Sequence, residues 1–407
     1  MERKKIEVVF KISPFLFAVG YVFSLLSCSE AGIKKEAVIA NYAVMVHQSY
    51  LDSYTKAIEM EQAIDRFLQD PTAEGFDAAK QTWLDAREIY GQTEVYRETN
   101  SPVDVEKSET APWGIANEGQ MNAWPIDESY IDYVAEGTES HAGFYNSVVS
   151  DTTIVITVEA LAELNEKDTD KSISTGWHAI EFLLWGQDIT LPEEKIPGLR
   201  NFTDYTTAPY AQRRGQYLKV VTRLLVSDLK KLTDTWSDGG AYRAVFEGLD
   251  SNTAITHLVN GAFFLAGDEL SSERLIAPVD STDGIDGSGQ EDEHSCFADN
   301  THRDVYANML GINNVLFGTY NTIKGPSFYD LVKQVDEVQA ERLKSAAEEA
   351  MKSVEAIAEA SHPFDYLITK ESSSDTEFGP VMQSVVALQN LGDEITVSGN
   401  AIGISLR

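Results

Sequence analysis

The chain has 407 residues, of which 65 are acidic and 32 are Lys or Arg, giving a formal charge of −33 at pH 7. So acidic a chain excludes nucleic acid as a partner, because phosphate binding needs clustered Lys and Arg. Most of the carboxylates form a solvated face, the surplus weakly favours cation-rich surroundings, and the length suffices for two domains with apolar cores.

The N-terminus, "MERKKIEVVFKISPFLFAVGYVFSLLSCSE", places Arg3, Lys4, Lys5 and Lys11 around the start of an apolar run, Phe15 to Leu26, that ends at Ser27-Cys28. A basic segment, a short apolar segment and a small residue before cysteine make a secretory signal. The run has about a dozen residues, short of the roughly 20 that span a bilayer, so removal is expected rather than insertion. "LLSC" resembles a bacterial lipobox, which implies a signal peptide over 1–28 and Cys28 as the lipid-modified first residue of the mature chain. Cys296 is then the single remaining thiol, and no intramolecular disulfide can form.

Residues 34–70 carry apolar side chains at helical spacing up to Pro71 and predict a long amphipathic helix. A second helix is predicted over 72–97, where Phe76, Trp83 and Tyr90 recur every seven residues on one buried face. Glu94, four residues after Tyr90, falls on that face, and a buried carboxylate is costly unless it is paired or coordinated. Over 99–134 the helical period is lost, and Pro, Trp and Asn mark an ordered excursion. Helical patterning returns at 152–166 and at 174–186, with Gly186 as the stop. The proline-rich stretch from Pro192 to Pro209 is the best linker, and helices follow at 210–235, 254–274, 301–313, 327–360 and 376–393, with a Gly/Asp/Ser break at 280–293. Strand-like alternation is nearly absent. The expected fold class is therefore all-α: a helical bundle over 29–200, a second over 205–407, and a cleft between them. A weak internal echo follows the same division, with "YGQTEVYR" (90–97) and "HAIEFLLWG" (178–186) answered by "LAGDELSSER" (265–274) and "HRDVYANMLG" (302–311).

The chemistry concentrates in few places. His178 and Glu181, at i and i+3 of an apolar helix, project together and could offer a nitrogen and an oxygen to zinc, iron or manganese. A buried His–Glu hydrogen bond formed for packing alone would look the same. Glu94 supplies a third ligand from a neighbouring helix, the way bundles build metal sites. The segment "EDEHSCFADNTHRD" (291–304) gathers Glu293, His294, Asp299, His302 and Asp304, and its bland reading is a capped helix start with Asp299 or Asn300 at the N-cap. Trp113, Trp124 and Trp177 are candidates to wall a pocket.

"GWHAIE" (176–181) fits the Gly-x-His-x-x-Glu signature of the imelysin family, also called the insulin-cleaving metalloproteinase or iron-regulated protein A-like family, and "YGQTEVYR", "NAWPIDESYIDYV" and "EHSCFADNTHRD" resemble its other recurrent segments. The resemblance runs from about residue 35 to 395. It implies paired helical-bundle domains, a site near their meeting, export to the periplasm or outer membrane, and a link to iron uptake. A peptidase is the alternative, yet Ala179 and Phe182 leave neither a His-Glu-x-x-His motif nor its inverted form.

The expected function is thus an exported, outer-membrane lipoprotein, anchored through Cys28 and facing the periplasm or the cell surface. It would bind a divalent or trivalent transition metal, iron favoured over zinc, as an ion or a chelate, and work with iron-uptake partner proteins. Its ligands would be His178, Glu181 and Glu94, completed or gated by His294, Asp299 and His302. The alternatives are a metallopeptidase and a metal-free interaction protein.

Overall fold

The computed structural model describes residues 32–135 and 147–406; the signal segment and Cys28 lie outside them. α1 (Lys35–Gln69) and α2 (Ala73–Gly91) meet at a turn through Pro71, and Thr72 caps α2 by accepting the Gly75 N–H. Residues 99–134 form α3 (Glu118–Asn122), α4 (Glu128–Ile131) and ordered turns. Then come α5 (Val158–Leu164), α6 (Gly176–Trp185), α7 (Ala211–Trp236), α8 (Arg243–Glu247) and α9 (Ser251–Phe264). α9 runs on as a π-helix, Leu265–Ile276, and into α10 (Ala277–Asp280). The chain finishes with α11 (Thr301–Phe317), α12 (Phe328–Val335), α13 (Glu337–Ala358), α14 (Phe364–Ile368) and α15 (Pro380–Ala401). Among the described residues the only strand pairing is the hairpin of Thr319–Tyr320 with Ile323–Lys324, so the fold is all-α. No described helix is long and apolar enough to cross a membrane.

Three expected elements are redrawn. The helix expected to reach Arg97 ends at Gly91, where a Cβ would stand 2.8 Å from that of Ala307 on α11; Thr93 then closes the end by donating to the Tyr90 carbonyl. Glu94 consequently sits in a separate 3₁₀ turn, Glu94–Tyr96. The helix expected over 327–360 breaks at Asp336, whose N–H caps α12 at Val332 and whose side chain accepts the Gln339 N–H to start α13. Of 152–166, only Val158–Leu164 is helical.

α7 packs on α1, α6 on α2 and α7, and α13 on α15, while α9 and α11 lie directly on α1 and α2. Helices from both sides of residues 200–205 thus share one core, and Ile33–Arg407 forms one compact unit. α6 is its most enclosed helix, with every residue from Gly176 to Trp185 buried. Burying side chains such as Ile180, Leu183 and Leu184 contributes roughly 1.5–3 kcal/mol each, which is what holds His178 and Glu181 in an apolar setting.

Candidate metal centre

α6 starts under tight constraint. Gly176 has φ +86°, and a Cβ there would lie 2.4 Å from the Met121 carbonyl oxygen, so only glycine lets α6 begin against α3. One turn in, His178 Nδ1 lies 3.0 Å from Glu181 Oε2, and Glu181 Oε1 accepts the Ala298 N–H at 3.0 Å. Both carboxyl oxygens are therefore engaged. His178 Nε2 is buried and has no hydrogen-bond partner. The imidazole packs against Trp124, 4.9 Å between ring centroids, and against His294 at 4.7 Å.

His294 is oriented in the same manner, with Nδ1 2.7 Å from Asp304 Oδ2. Asp304 also accepts Ser295 Oγ at 2.6 Å and both Nε and Nη2 of Arg87 at 3.1 Å. Arg87 reaches on to Asn122 Oδ1 and packs over Tyr90 and Trp177. Glu94 accepts from Arg274, and from the amides of Asn122 and Asn308 at 3.3 Å. Glu269 accepts from Arg274 and Arg97, each at 3.0 Å, and Arg97 also faces Glu118 at 3.3 Å. The π-helix makes the first of these contacts feasible: Glu269 and Arg274 are five residues apart, a spacing that stacks in a π-helix and diverges in an α-helix. The echoed segments are thus cross-tied, Glu94 to Arg274 and Arg97 to Glu269.

This charge pattern sets the protonation states. Burial, then Arg87 and the neighbouring His294, holds His178 well below the usual histidine range. Burial and Arg274 and Arg87 do the same to His294. Both imidazoles are neutral, the form that ligates metals. Burial pushes Glu181 well up. For Glu94 burial is outweighed by Arg274 and Arg87, which hold it down at about 2.

A pocket of 370 Å³ leads to this centre, lined by Glu118 and Trp124 from before residue 200 and by Glu269, Arg274 and His294 from after it. Trp124 Nε1 and Arg274 Nε in its wall are buried donors without partners. His178 lies one ring behind Trp124 and His294, in contact with both.

The six expected ligands do not converge as one set. His178, Glu181 and His294 are brought together. Glu94 is held by guanidinium and amide donors, so the partner its burial demands is Arg274. Asp299 belongs to a different cluster, with Asp188 and Asp365. His302 is partly buried on α11 with Nδ1 unpartnered, and the α11 side chain that reaches His294 is Asp304. Sequence reasoning did not single out Arg87, Asn122, Arg274 or Asn308. Arg87 was within reach, since it follows Trp83 by four residues on the Phe76–Trp83–Tyr90 stripe. Of the three tryptophans only Trp124 walls the pocket; Trp177 is fully buried and Trp113 packs on Tyr242.

An all-α protein with a buried, carboxylate-oriented histidine pair at the end of a polar pocket is the class that fold and site define. The imelysin (peptidase M75) family model matches residues 46–389, and the chain belongs to that family. It is similar to iron-regulated protein A of Synechococcus elongatus, with 25% identity over 354 residues, 84% of this chain and 81% of the relative. Its fold matches a crystal structure assigned as an iron-regulated protein A precursor from Parabacteroides distasonis, with a TM-score of 0.67 and 17% identity over 92% of this chain and 97% of the other.

Proposed function

We infer that the protein is an iron-binding member of its family, exported and lipid-anchored through Cys28, that takes iron as an ion or chelate into the pocket ending at His178 and His294. The observation that carries the reading is the orphaned, buried Nε2 of His178 beside a second oriented imidazole. A buried polar atom without a partner costs about 1–3 kcal/mol, and coordination would remove that cost. A cation at Nε2 would offset the burial that pushes Glu181 up, so that Nδ1–H would be donated to an ionised Glu181, the carboxylate–histidine arrangement that orients metal-ligating imidazoles. Asp304 holds His294 Nδ1 in the same way, while His294 Nε2 lies 3.4 Å from Arg87 Nη2. In this reading Glu181 and Asp304 orient ligands, and Glu94 fixes Arg274. The free N–H donors of Trp124 and Arg274 suit oxygen ligands that would accompany iron. The relative's name, iron-regulated protein A, agrees with an iron role. Hydrolysis lacks comparable support, because both Glu181 oxygens are already engaged and leave no evident base.

Metal analysis of protein purified without chelators tests the reading. The parent should carry iron, His178→Ala should lose it, and Glu181→Gln should bind about 10–100-fold more weakly. Metal content unchanged in His178→Ala would overturn the assignment. Membrane fractionation checks the anchor: Cys28→Ser should move the protein to the soluble fraction.

A further inference from the structure

We propose, resting on the iron reading above, that the metal at His178 and His294 binds together with a small oxyanion, a carbonate or the carboxylate of a chelate, held by Trp124 Nε1 and Arg274 Nε. The carboxylates that touch the two imidazoles already have partners. Glu181 meets His178 and the Ala298 N–H, and Asp304 meets His294, Ser295 and Arg87. Glu94 is held by Arg274, Asn122 and Asn308, and in the pocket Glu118 and Glu269 face Arg97 and Arg274. Iron held by two imidazoles commonly takes a carboxylate as well, and a buried cation with neutral ligands alone keeps most of its desolvation cost. An anionic oxygen that arrives with the metal fills that place.

Two buried N–H groups in the pocket wall supply the other half of the site. Arg274 is 3% exposed; its terminal nitrogens go to Asn308, Glu94 and Glu269, and Nε has no partner. Trp124 Nε1 is buried and equally without one. Both residues line the 370 Å³ pocket with His294, and the Trp124 ring packs on His178, whose Nε2 is the third unpartnered atom. An N–H donor cannot ligate a metal, so these two call for an acceptor, and an oxyanion can meet donor and cation at once. A guanidinium suits the planar oxygens of carbonate or carboxylate. Glu166, Glu273 and Asp292 also line the pocket and would repel an anion arriving alone. Anion and metal should accordingly bind as a unit, each raising the other's affinity by the same factor.

The test is calorimetry on the full mature chain after chelator treatment, with ferrous chloride under nitrogen as the metal probe. Titrations run in carbonate-free buffer alone, with sodium bicarbonate, and with sodium acetate. At least one anion should tighten iron binding by about 10–100-fold, the worth of a hydrogen bond to a charged group. An effect of bicarbonate alone identifies free carbonate, and an effect of acetate identifies a chelate's carboxylate. Trp124→Phe keeps the ring and removes only the N–H, and Arg274→Lys keeps the charge facing Glu94 and removes Nε. Each should shrink the enhancement about tenfold. The enhancement is a ratio of two affinities of one variant, so a general loss of stability does not move it, and Trp124→Phe decides if Arg274→Lys does not fold. Iron bound by the parent equally in all three buffers, or undiminished enhancement in either folded variant, would overturn the oxyanion alone. No iron bound in any buffer would overturn the iron reading with it.

Discussion

His294 and Asp299 stand five residues apart in one segment, yet they enter polar regions of opposite make-up. On the His294 side, Glu94, Glu118, Glu269 and Asp304 are met by Arg87, Arg97 and Arg274. On the Asp299 side, the charges that weigh most on Glu293, Asp299 and Asp365 are those of other carboxylates, Asp188 among them in each case. The consequence is visible in two carboxyls. Glu94, 2% exposed, is held at about 2, whereas Asp299, which is only partly buried, is pushed by burial and by Asp188 and Asp365 to about 8. Depth alone therefore does not decide the charge state of a buried acid; the counter-ion does.

The comparison is broken most severely by removing a counter-ion. Arg87→Met should destabilise the fold by about 3–5 kcal/mol, because Asp304 and Glu94 would remain buried with their compensation reduced. Arg87→Met/Asp304→Leu, which withdraws both partners, should recover much of that loss in urea unfolding. If the single variant costs no more than a surface arginine does, the balanced region is not held by its charges. On the other side of the segment the sign reverses: in chelator, at pH 8, Asp299→Asn should stabilise by about 1–2 kcal/mol, as relief of carboxylate repulsion requires.

The helix ends that were legible in the sequence are those set by local residues. α1 stops before Pro71, Thr72 caps α2, and Gly186 ends α6, all readable from residue type. What was missed depends on contacts distant in sequence. Gly91 ends α2 where α11 arrives, and the π-helix registers only in three dimensions. The break at Asp336 did leave a local signal, an Asp with Gln three residues later, inside a pattern otherwise continuous. In the site, His294 stood out because its segment is dense in ligand-type side chains, and His178 and Glu181 because polar groups on an apolar face are costly. The same argument assigned Glu94 to a metal, because periodicity finds a buried charge and cannot see which distant arginine reaches it. Asp188 and Asp365 lacked any such mark, and only the fold brings them to Asp299.

pH should have the mildest effect, and its two limbs belong to the two regions. Glu94 titrates at about 2 in the folded protein against 4.5 ordinarily, so the stability it contributes is present above pH 4.5 and is lost as pH falls from there toward 2. Asp299 and Asp365 behave oppositely. Their folded values, about 8 and about 7, stand above the ordinary 3.8, so between those limits the folded chain holds more protons than the unfolded one. Stability in chelator should therefore fall as pH rises from about 4 to 8, with a slope of up to about 1.4 kcal/mol per pH unit for each proton the folded chain holds in excess. Asp188 and Asp299 act on each other's titration, so that limb belongs to the pair. Unfolding midpoints across pH 3–9 would resolve both limbs, and Asp299→Asn should flatten the alkaline limb while leaving the acid one in place. Flattening of both would mean that the two regions share one electrostatic system despite the segment between them.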